Sequence, residues 1–153
     1  MTATAAPAPR PRVQRRRDTE HRLTHDVDVW VATASADGEP YLVPLSFDWD
    51  GEAVLLATTE SPTARNLTAT RVVRLGLGLT RDVVLIEGTV EVLELDELPR
   101  EQGDRFAARA GFDPRVLGTP YRWFRVTPRR VQAWREEDEL KGRELMRDGR
   151  WLV

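Results

Sequence analysis

The sequence predicts a mostly β protein: an antiparallel β-barrel with a few flanking helices. Strand-like segments follow one another across short turns, and most connections are too short for parallel crossovers. Helix signals appear in only a few places, so the predicted order is β-β-β-α-β-β-α-β-β. With 153 residues, of which 41% are hydrophobic, the chain fits one domain with one core.

The first half is predicted to contain three strands and a helix. The strands are Val29–Ala34, Tyr41–Trp49 and Ala53–Thr58, separated by turn signals at Asp37-Gly38 and Asp50-Gly51. Pro44 within the second strand indicates an edge or a bulge. Ser61 followed by proline begins the helix predicted over Pro62–Thr70, since serine caps a helix and proline suits its first position.

The second half continues with alternating or continuous apolar segments. The predicted elements are strands over Val72–Leu79 and Val83–Leu93, a helix over Asp96–Ala110, and strands over Tyr121–Pro128 and Val131–Arg135. The charged stretch Glu136–Arg147 allows a short helix. Of the five tryptophans, Trp30 and Trp123 are assigned to the core or a subunit interface.

Residues 1–20 are predicted to be a disordered basic tail, ahead of a single domain over residues 21–153. The first 17 residues are mainly alanine, proline and arginine, with little apolar surface to offset the entropy of ordering. Removing residues 1–17 is therefore expected to leave folding intact. The arginines of this segment could contact nucleic acid, but a solvated tail is the commoner role.

Overall composition excludes several classes of function. A net charge of −2 gives no field that attracts nucleic acid or an anionic membrane, so neither is expected as a partner. No apolar run approaches the roughly 20 residues of a membrane span, and no signal-peptide core is visible. Together with the absence of cysteine, this favours a cytoplasmic protein.

The usual catalytic side chains are scarce. The two histidines, His21 and His25, could share a helix face, but no acidic motif supports a zinc site, and no metal is expected. A chain without evident acid, base or nucleophile favours chemistry supplied by a cofactor.

Residues 58–67 follow a strand, begin a helix and could bind an anion. The hydroxyls of Thr58, Thr59, Ser61 and Thr63 lie near the free N–H groups at the helix start, and Arg65 could bind a phosphate. A plain capped helix with a solvated arginine explains the same residues equally simply.

The order of motifs resembles the pyridoxamine 5′-phosphate oxidase family. The resemblance covers residues 25–153, and it lies in the first flavin strand, the loop after the hairpin, a barrel strand and the C-terminal region. The corresponding segments are Val43-Pro44-Leu45-Ser46, Thr58-Thr59 with Ser61 and Arg65, Arg81–Gly88, and Pro128–Trp134 with Arg143 and Arg147.

This resemblance implies an FMN-binding split β-barrel that forms a homodimer, with flavin in the dimer groove. It implies that Val43, Leu45 and Ser46 present backbone to the flavin ring, and that Thr58, Thr59, Ser61, Arg65 and Asn66 hold the ribityl chain and phosphate. Trp134 and Arg147 are implied to reach the flavin from the partner chain.

Departures from the family pattern argue against the vitamin oxidase itself. Tyr41 and Ser46 replace basic residues, Val83 replaces a glutamine, and Glu144 within Arg143-Glu144-Leu145 would repel a substrate phosphate. The expected function is hydride transfer between FMN and an unidentified small molecule. The alternatives are a reductase that uses the deazaflavin coenzyme F-420, with Arg71 and Arg74 lining its acidic tail, a non-catalytic flavin carrier, and a cofactor-free interaction module.

Overall fold

The computed structural model describes Ala5 and residues 7–153, and within this part the chain is mostly β with three α-helices. The elements, in chain order, are α1 (Arg12–His25), β1 (Asp28–Ala34), β2 (Pro40–Trp49), β3 (Val54–Thr58), α2 (Pro62–Thr70), β4 (Val72–Leu79), β5 (Asp82–Leu93), α3 (Arg100–Ala110), β6 (Arg122–Arg135), a 3-10 turn (Glu137–Glu139), β7 (Glu144–Arg147) and β8 (Arg150–Trp151).

Six of these strands close an antiparallel barrel. The sheet order is β3-β2-β1-β4-β5-β6-β7-β8, and an additional pairing of β3 with β6 joins the ends of the six-stranded part. Inward-facing side chains alternate along the strands and form the main core, with Val31, Phe47, Ile86 and Phe124 fully buried. A second core of Phe106, Trp123 and their neighbours lies under α3. The predicted split-barrel fold is confirmed.

Two strands predicted in the C-terminal third form one long strand. Prolines rarely lie inside sheets, and Pro128 therefore suggested a break. In the structure the register between β5 and β6 shifts at Glu87 and Gly88, so Arg129 is an extra residue and Pro128 is accommodated at a bulge. Gly88 permits this close approach, because a Cβ there would lie 2.5 Å from a methyl carbon of Val126.

Two other boundaries differ from the prediction. The third helix begins at Arg100 and not at Asp96, because Pro99 occupies the N-cap position and disfavours helix in the residue before it. The charged stretch after β6 forms a 3-10 turn and then two short strands, β7 and β8, which were not predicted. Their hairpin pairs with β6 and adds the fully buried Leu145 to the main core.

The predicted N-terminal tail is wrong for residues 12–20, which lie in α1. The buried face of this helix consists of Arg15, Thr19 and Leu23, so it offers little apolar signal in the sequence. Arg15 is nevertheless satisfied, because its Nη1 donates to the backbone oxygens of Ala133 and Glu139 at 3.3 and 3.0 Å. Residues 1–4 and 6 of the predicted tail lie outside the described residues.

The barrel is split where β2 and β3 diverge. β2 pairs with β1 from Pro40 to Ser46, whereas its pairing with β3 is confined to Phe47–Trp49. Pro44 therefore lies in a stretch of β2 that has no neighbour on the β3 side, an edge as predicted. This divergence opens the space described below.

None of the helices in the described residues is long and apolar enough to cross a membrane.

Candidate functional site

A cavity of about 370 Å³ lies in the gap between the diverging strands β2 and β3, and is called the split cavity here. Its lining comes from the start of β1, from β2, from the end of β3 and the residue after it, and from the segment between α3 and β6. Its lining residues are Asp28, Pro44, Leu45, Ser46, Ala57, Thr58, Thr59, Phe112 and Tyr121.

Four residues predicted to contact a cofactor come together in this cavity: Leu45, Ser46, Thr58 and Thr59. The Ser46 hydroxyl donates to Oδ1 of Asp28 at 2.8 Å, which fixes one polar edge of the cavity. Val43 is half-buried and packs against the main core, and it does not line the cavity. The cavity therefore offers an apolar strand on one side and hydroxyl groups on the other.

The start of α2 follows directly after Thr58 and Thr59. Ser61 caps this helix, since its Oγ accepts a hydrogen bond from the backbone N–H of Ala64 at 3.1 Å. Thr63 is only 2% exposed, and its Oγ1 has no hydrogen-bond partner within the described residues. Buried hydroxyls without a partner are rare. A free hydroxyl at the positive end of a helix is suited to an anion.

Arg65 and Asn66, one turn into α2, have different partners. Arg65 forms an ion pair with Glu60 at 2.9 Å, and both side chains are more than 60% exposed, so this pair adds little stability. Asn66 instead donates to the Thr33 hydroxyl at 3.1 Å, which ties α2 to β1. Arg65 is thus available to a ligand at the helix start, whereas Asn66 is held against the barrel.

Trp134 and Arg147 do not meet the split cavity within one chain. Arg122, at the start of β6, pairs with Thr58. Trp134 lies twelve residues further along β6, where it pairs with Val83. At ~3.3 Å per residue, this is roughly 40 Å of strand. Within one chain, Trp134 therefore lies far from the split cavity.

A second cavity, of about 470 Å³, contains Arg147 and is called the arginine cavity here. Four arginines line it, and two of them contact the carboxylate of Glu144, which accepts from Nε of Arg130 at 2.7 Å and pairs with Arg147. The hydrogen bond from Arg130 lowers the pKa of Glu144, so its carboxylate stays ionised at neutral pH. The lining is Arg12, Arg130, Gln132, Leu140, Gly142, Arg143, Glu144, Arg147 and Leu152.

Several residues of the site were not predicted from the sequence. Phe112 and Tyr121 line the split cavity, yet they lie beyond a helix, in a segment without a recognisable motif. Asp28 is the first residue of β1, one residue before the predicted start of that strand, and no motif marks it. Of the two tryptophans assigned to the core or an interface, Trp123 is fully buried, whereas Trp30 is 52% exposed on the outside of the barrel.

Metal chemistry has no visible site in the described residues. His21 and His25 stack on each other on the exposed face of α1, with ring centroids 4.0 Å apart. In the part of the chain that the structure describes, no group of three His, Cys, Asp or Glu side chains is placed to hold a metal ion.

Residues 21–135 match the family model described as pyridoxamine 5′-phosphate oxidase, and the chain belongs to this family. No curated protein matches the chain significantly.

Solved structures with the same fold carry different names. An F420 reductase is 21% identical, with a TM-score of 0.59 over 73% of this chain and 94% of that one. An FAD-binding protein of Mesorhizobium loti is 21% identical, with a TM-score of 0.62 over 76% and 89% of the two chains. HutZ, the heme storage protein of Vibrio cholerae, is 16% identical, with a TM-score of 0.61 over 78% and 94%. These likenesses show the fold.

Proposed function

We propose that this protein is an FMN-dependent oxidoreductase that works as a homodimer on a small molecule. The observation that carries the proposal is the split cavity, because it gathers Leu45, Ser46, Thr58 and Thr59 directly beside the start of α2. The unpartnered hydroxyl of Thr63 at that helix start fits a phosphate group. When bound, the flavin supplies the site for hydride transfer.

The chain's own residues bind and orient the cofactor. Backbone groups near Leu45 and Ser46 would contact the ring, and the hydroxyls of Thr58 and Thr59 would bind the ribityl chain. The phosphate would be held at the start of α2 by the Arg65 guanidinium, beside the Thr63 hydroxyl. Its charge is stabilised there by the helix dipole.

The homodimer is supported by an exposed row of side chains across the outside of the barrel. Trp30 pairs with Pro44 on one side and Gly76 on the other, and Gly76 pairs with Leu85. Trp30 is 52% exposed and Leu85 is 38% exposed. Contiguous apolar surface of this kind is typical of protein interfaces. The family resemblance implies that Trp134 and Arg147 of such a partner subunit reach the flavin.

The charges around the site favour FMN over coenzyme F-420. Arg71 ends α2, about 13 Å of helix from the start of that element, and Arg74 pairs with Glu87 at 2.9 Å. Neither lies beside the phosphate position. The cavity next to the split cavity is lined by three carboxylates, those of Glu60, Glu94 and Asp96. These carboxylates would repel an acidic glutamate tail.

The test is titration of the apo-protein with FMN and with F-420, followed by visible absorption and fluorescence, at low and high salt. We expect micromolar or tighter FMN binding, weaker F-420 binding, and reduction of a dye by the reduced complex. Tighter binding of F-420 than of FMN would make F-420 the cofactor. Flavin binding without dye reduction would make the protein a flavin carrier and not an enzyme. Protein that binds neither compound would overturn the proposal and favour the interaction module.

A further inference from the structure

We propose that Phe112 and Tyr121 form the wall that holds the cofactor's ring, and that they act as positioning residues for it. Both lie in residues 111–121, called the aromatic segment here, and both line the split cavity together with Leu45 and Ser46. The inference rests on the proposed function, and it assigns the ring side of the cavity to residues that the family resemblance left without a role.

The wall is built into the second core of the protein. The Tyr121 and Phe112 rings lie 5.9 Å apart with a 44° tilt, and Phe112 meets Phe106 edge-on at 5.6 Å. Phe106 in turn meets Trp123 edge-on at 5.1 Å, and both of these rings are fully buried. Offset and edge-to-face contacts at these distances are favourable, so the half-buried pair Phe112 and Tyr121 is held in place by the buried rings beneath it.

The aromatic segment is also tied down by its own arginine. Arg115 binds Asp113 and Asp104, each at 2.8 Å, and donates to the backbone oxygen of Arg100 at 3.3 Å. Its guanidinium lies against Gly103 of α3, where a Cβ would be 2.6 Å from Nη1. A wall fixed in this way holds a planar ring with little loss of side-chain entropy on binding.

Tyr121 lies between two cavities, whereas Phe112 lines only one of them. It lines the split cavity and also the neighbouring cavity of about 640 Å³, and it is the residue that the two linings share. A ring in the split cavity would therefore be separated from the neighbouring space by the tyrosine side chain. That position makes the phenol a direct neighbour of the ring.

The experiment compares FMN with riboflavin, which has the same ring and no phosphate. Affinities are measured for the full-length protein and for Phe112→Leu, Tyr121→Leu, Tyr121→Phe and Arg65→Ala. The matched control is Val116→Ala, at a 75% exposed position of the same segment outside the cavity. Thermal unfolding verifies that each variant is folded.

We expect Phe112→Leu and Tyr121→Leu to weaken FMN and riboflavin binding by the same factor, roughly 3- to 10-fold. Arg65→Ala should weaken FMN alone. Tyr121→Phe should keep both affinities within about twofold but brighten the bound flavin, because a phenol in contact quenches flavin fluorescence and a phenyl ring does not. A merely structural tyrosine would leave the fluorescence unchanged.

The outcomes separate this inference from the proposed function. If the wild-type protein binds neither flavin, both are overturned. If it binds FMN but the two leucine variants bind as tightly as the wild type, or if Tyr121→Phe leaves the flavin fluorescence quenched, the aromatic wall alone is refuted. The Tyr121→Phe result keeps the inference testable even if a leucine variant does not fold.

Discussion

Arg10 and Glu139 lie 129 positions apart and form a nearly solvent-free ion pair that joins the N-terminal segment to the loop after β6. The Arg10 Nη2 donates to Oε1 of Glu139 at 2.8 Å, and the Arg10 backbone N–H donates to Oε2 at 2.9 Å. Arg135 donates its own backbone N–H to the same carboxylate at 2.8 Å. The fully buried carboxylate of Glu139 thus joins the N-terminal segment to the end of β6.

Replacing Glu139 should destabilise the fold. Glu139→Gln leaves the Arg10 guanidinium partly buried without its main charge partner, and breaking such a pair from one side costs about 3 kcal/mol. Urea unfolding of the variant and the wild type measures the loss. Glu137→Gln, an exposed carboxylate in the same 3-10 turn, is the control and should be neutral. Equal stability of both variants would contradict a role for the buried pair.

The same carboxylate predicts how stability changes with acid. Burial alone would raise the pKa of Glu139, but hydrogen bonds from Arg10 and from the backbone N–H of Arg135 lower it from 4.5 to about 2. A pKa lowered by folding gives stability that is present above pH 4.5 and is lost as the pH falls towards 2. The two pKa values correspond to about 3 kcal/mol. Denaturant unfolding between pH 6 and about pH 2.5 should show this loss in the wild type and a flatter profile in Glu139→Gln.

Two N-terminal truncations test whether the arginines at the start of the chain and in the first turns of α1 stabilise the fold. The sequence suggested that residues 1–17 are dispensable, but in the structure Arg10, Arg12 and Arg15 all bind the body of the protein. A chain that begins at Asp18 should therefore be less stable by several kcal/mol than one that begins at Pro9. Thermal unfolding of both truncations, beside the full chain, measures the difference. Equal unfolding midpoints for the two truncations would support the prediction that residues 1–17 are dispensable for folding.

The sequence predicted most of the barrel because its strands are governed by local signals. Turns at Asp37-Gly38 and Asp50-Gly51, and the Ser61 cap before Pro62, fix boundaries that the structure matches within about two residues. The misses have non-local causes. Helix α1 is held by arginines that reach distant backbone oxygens, and β7 and β8 are formed by pairing onto β6. No window of local sequence contains those partners.

The candidate site divides in the same way. Leu45, Ser46, Thr58 and Thr59 were predicted from the resemblance to the family's motifs, and the structure gathers them in one cavity. Phe112 and Tyr121 reach that cavity only because α3 packs over the end of the barrel, a tertiary contact without a sequence motif. The roles of Trp134 and Arg147 depend on a second subunit and remain predictions.

The ion pair between Arg65 and Glu60 predicts an effect of removing the acidic partner. If Arg65 binds the cofactor's phosphate, Glu60 competes for the same guanidinium. Glu60→Gln should then tighten FMN binding by roughly 2- to 5-fold, as expected for an exposed pair worth under 1 kcal/mol. Arg65→Ala should weaken it by about 10- to 100-fold. Calorimetric titration measures both, and riboflavin, which lacks the phosphate, is the control and should not respond to either change.

The exposed row on the barrel predicts how the dimer can be broken. Trp30 lies at its centre, between Pro44 and Gly76, so a charge at this position would have to be buried without a partner if two copies pack on this face. Trp30→Glu should weaken the dimer by about 30-fold or more, and light scattering at micromolar concentration should give a monomer mass. Val116→Glu puts the same charge on an apolar residue that is even more exposed, outside the row, and should leave the dimer intact. FMN affinity provides a second readout, because the proposed cofactor site includes Trp134 and Arg147 of the partner subunit, which a monomer would lack. A Trp30→Glu protein that remains dimeric would place the interface elsewhere, and a monomeric one that binds FMN as tightly as the wild type would show that one chain holds the cofactor alone.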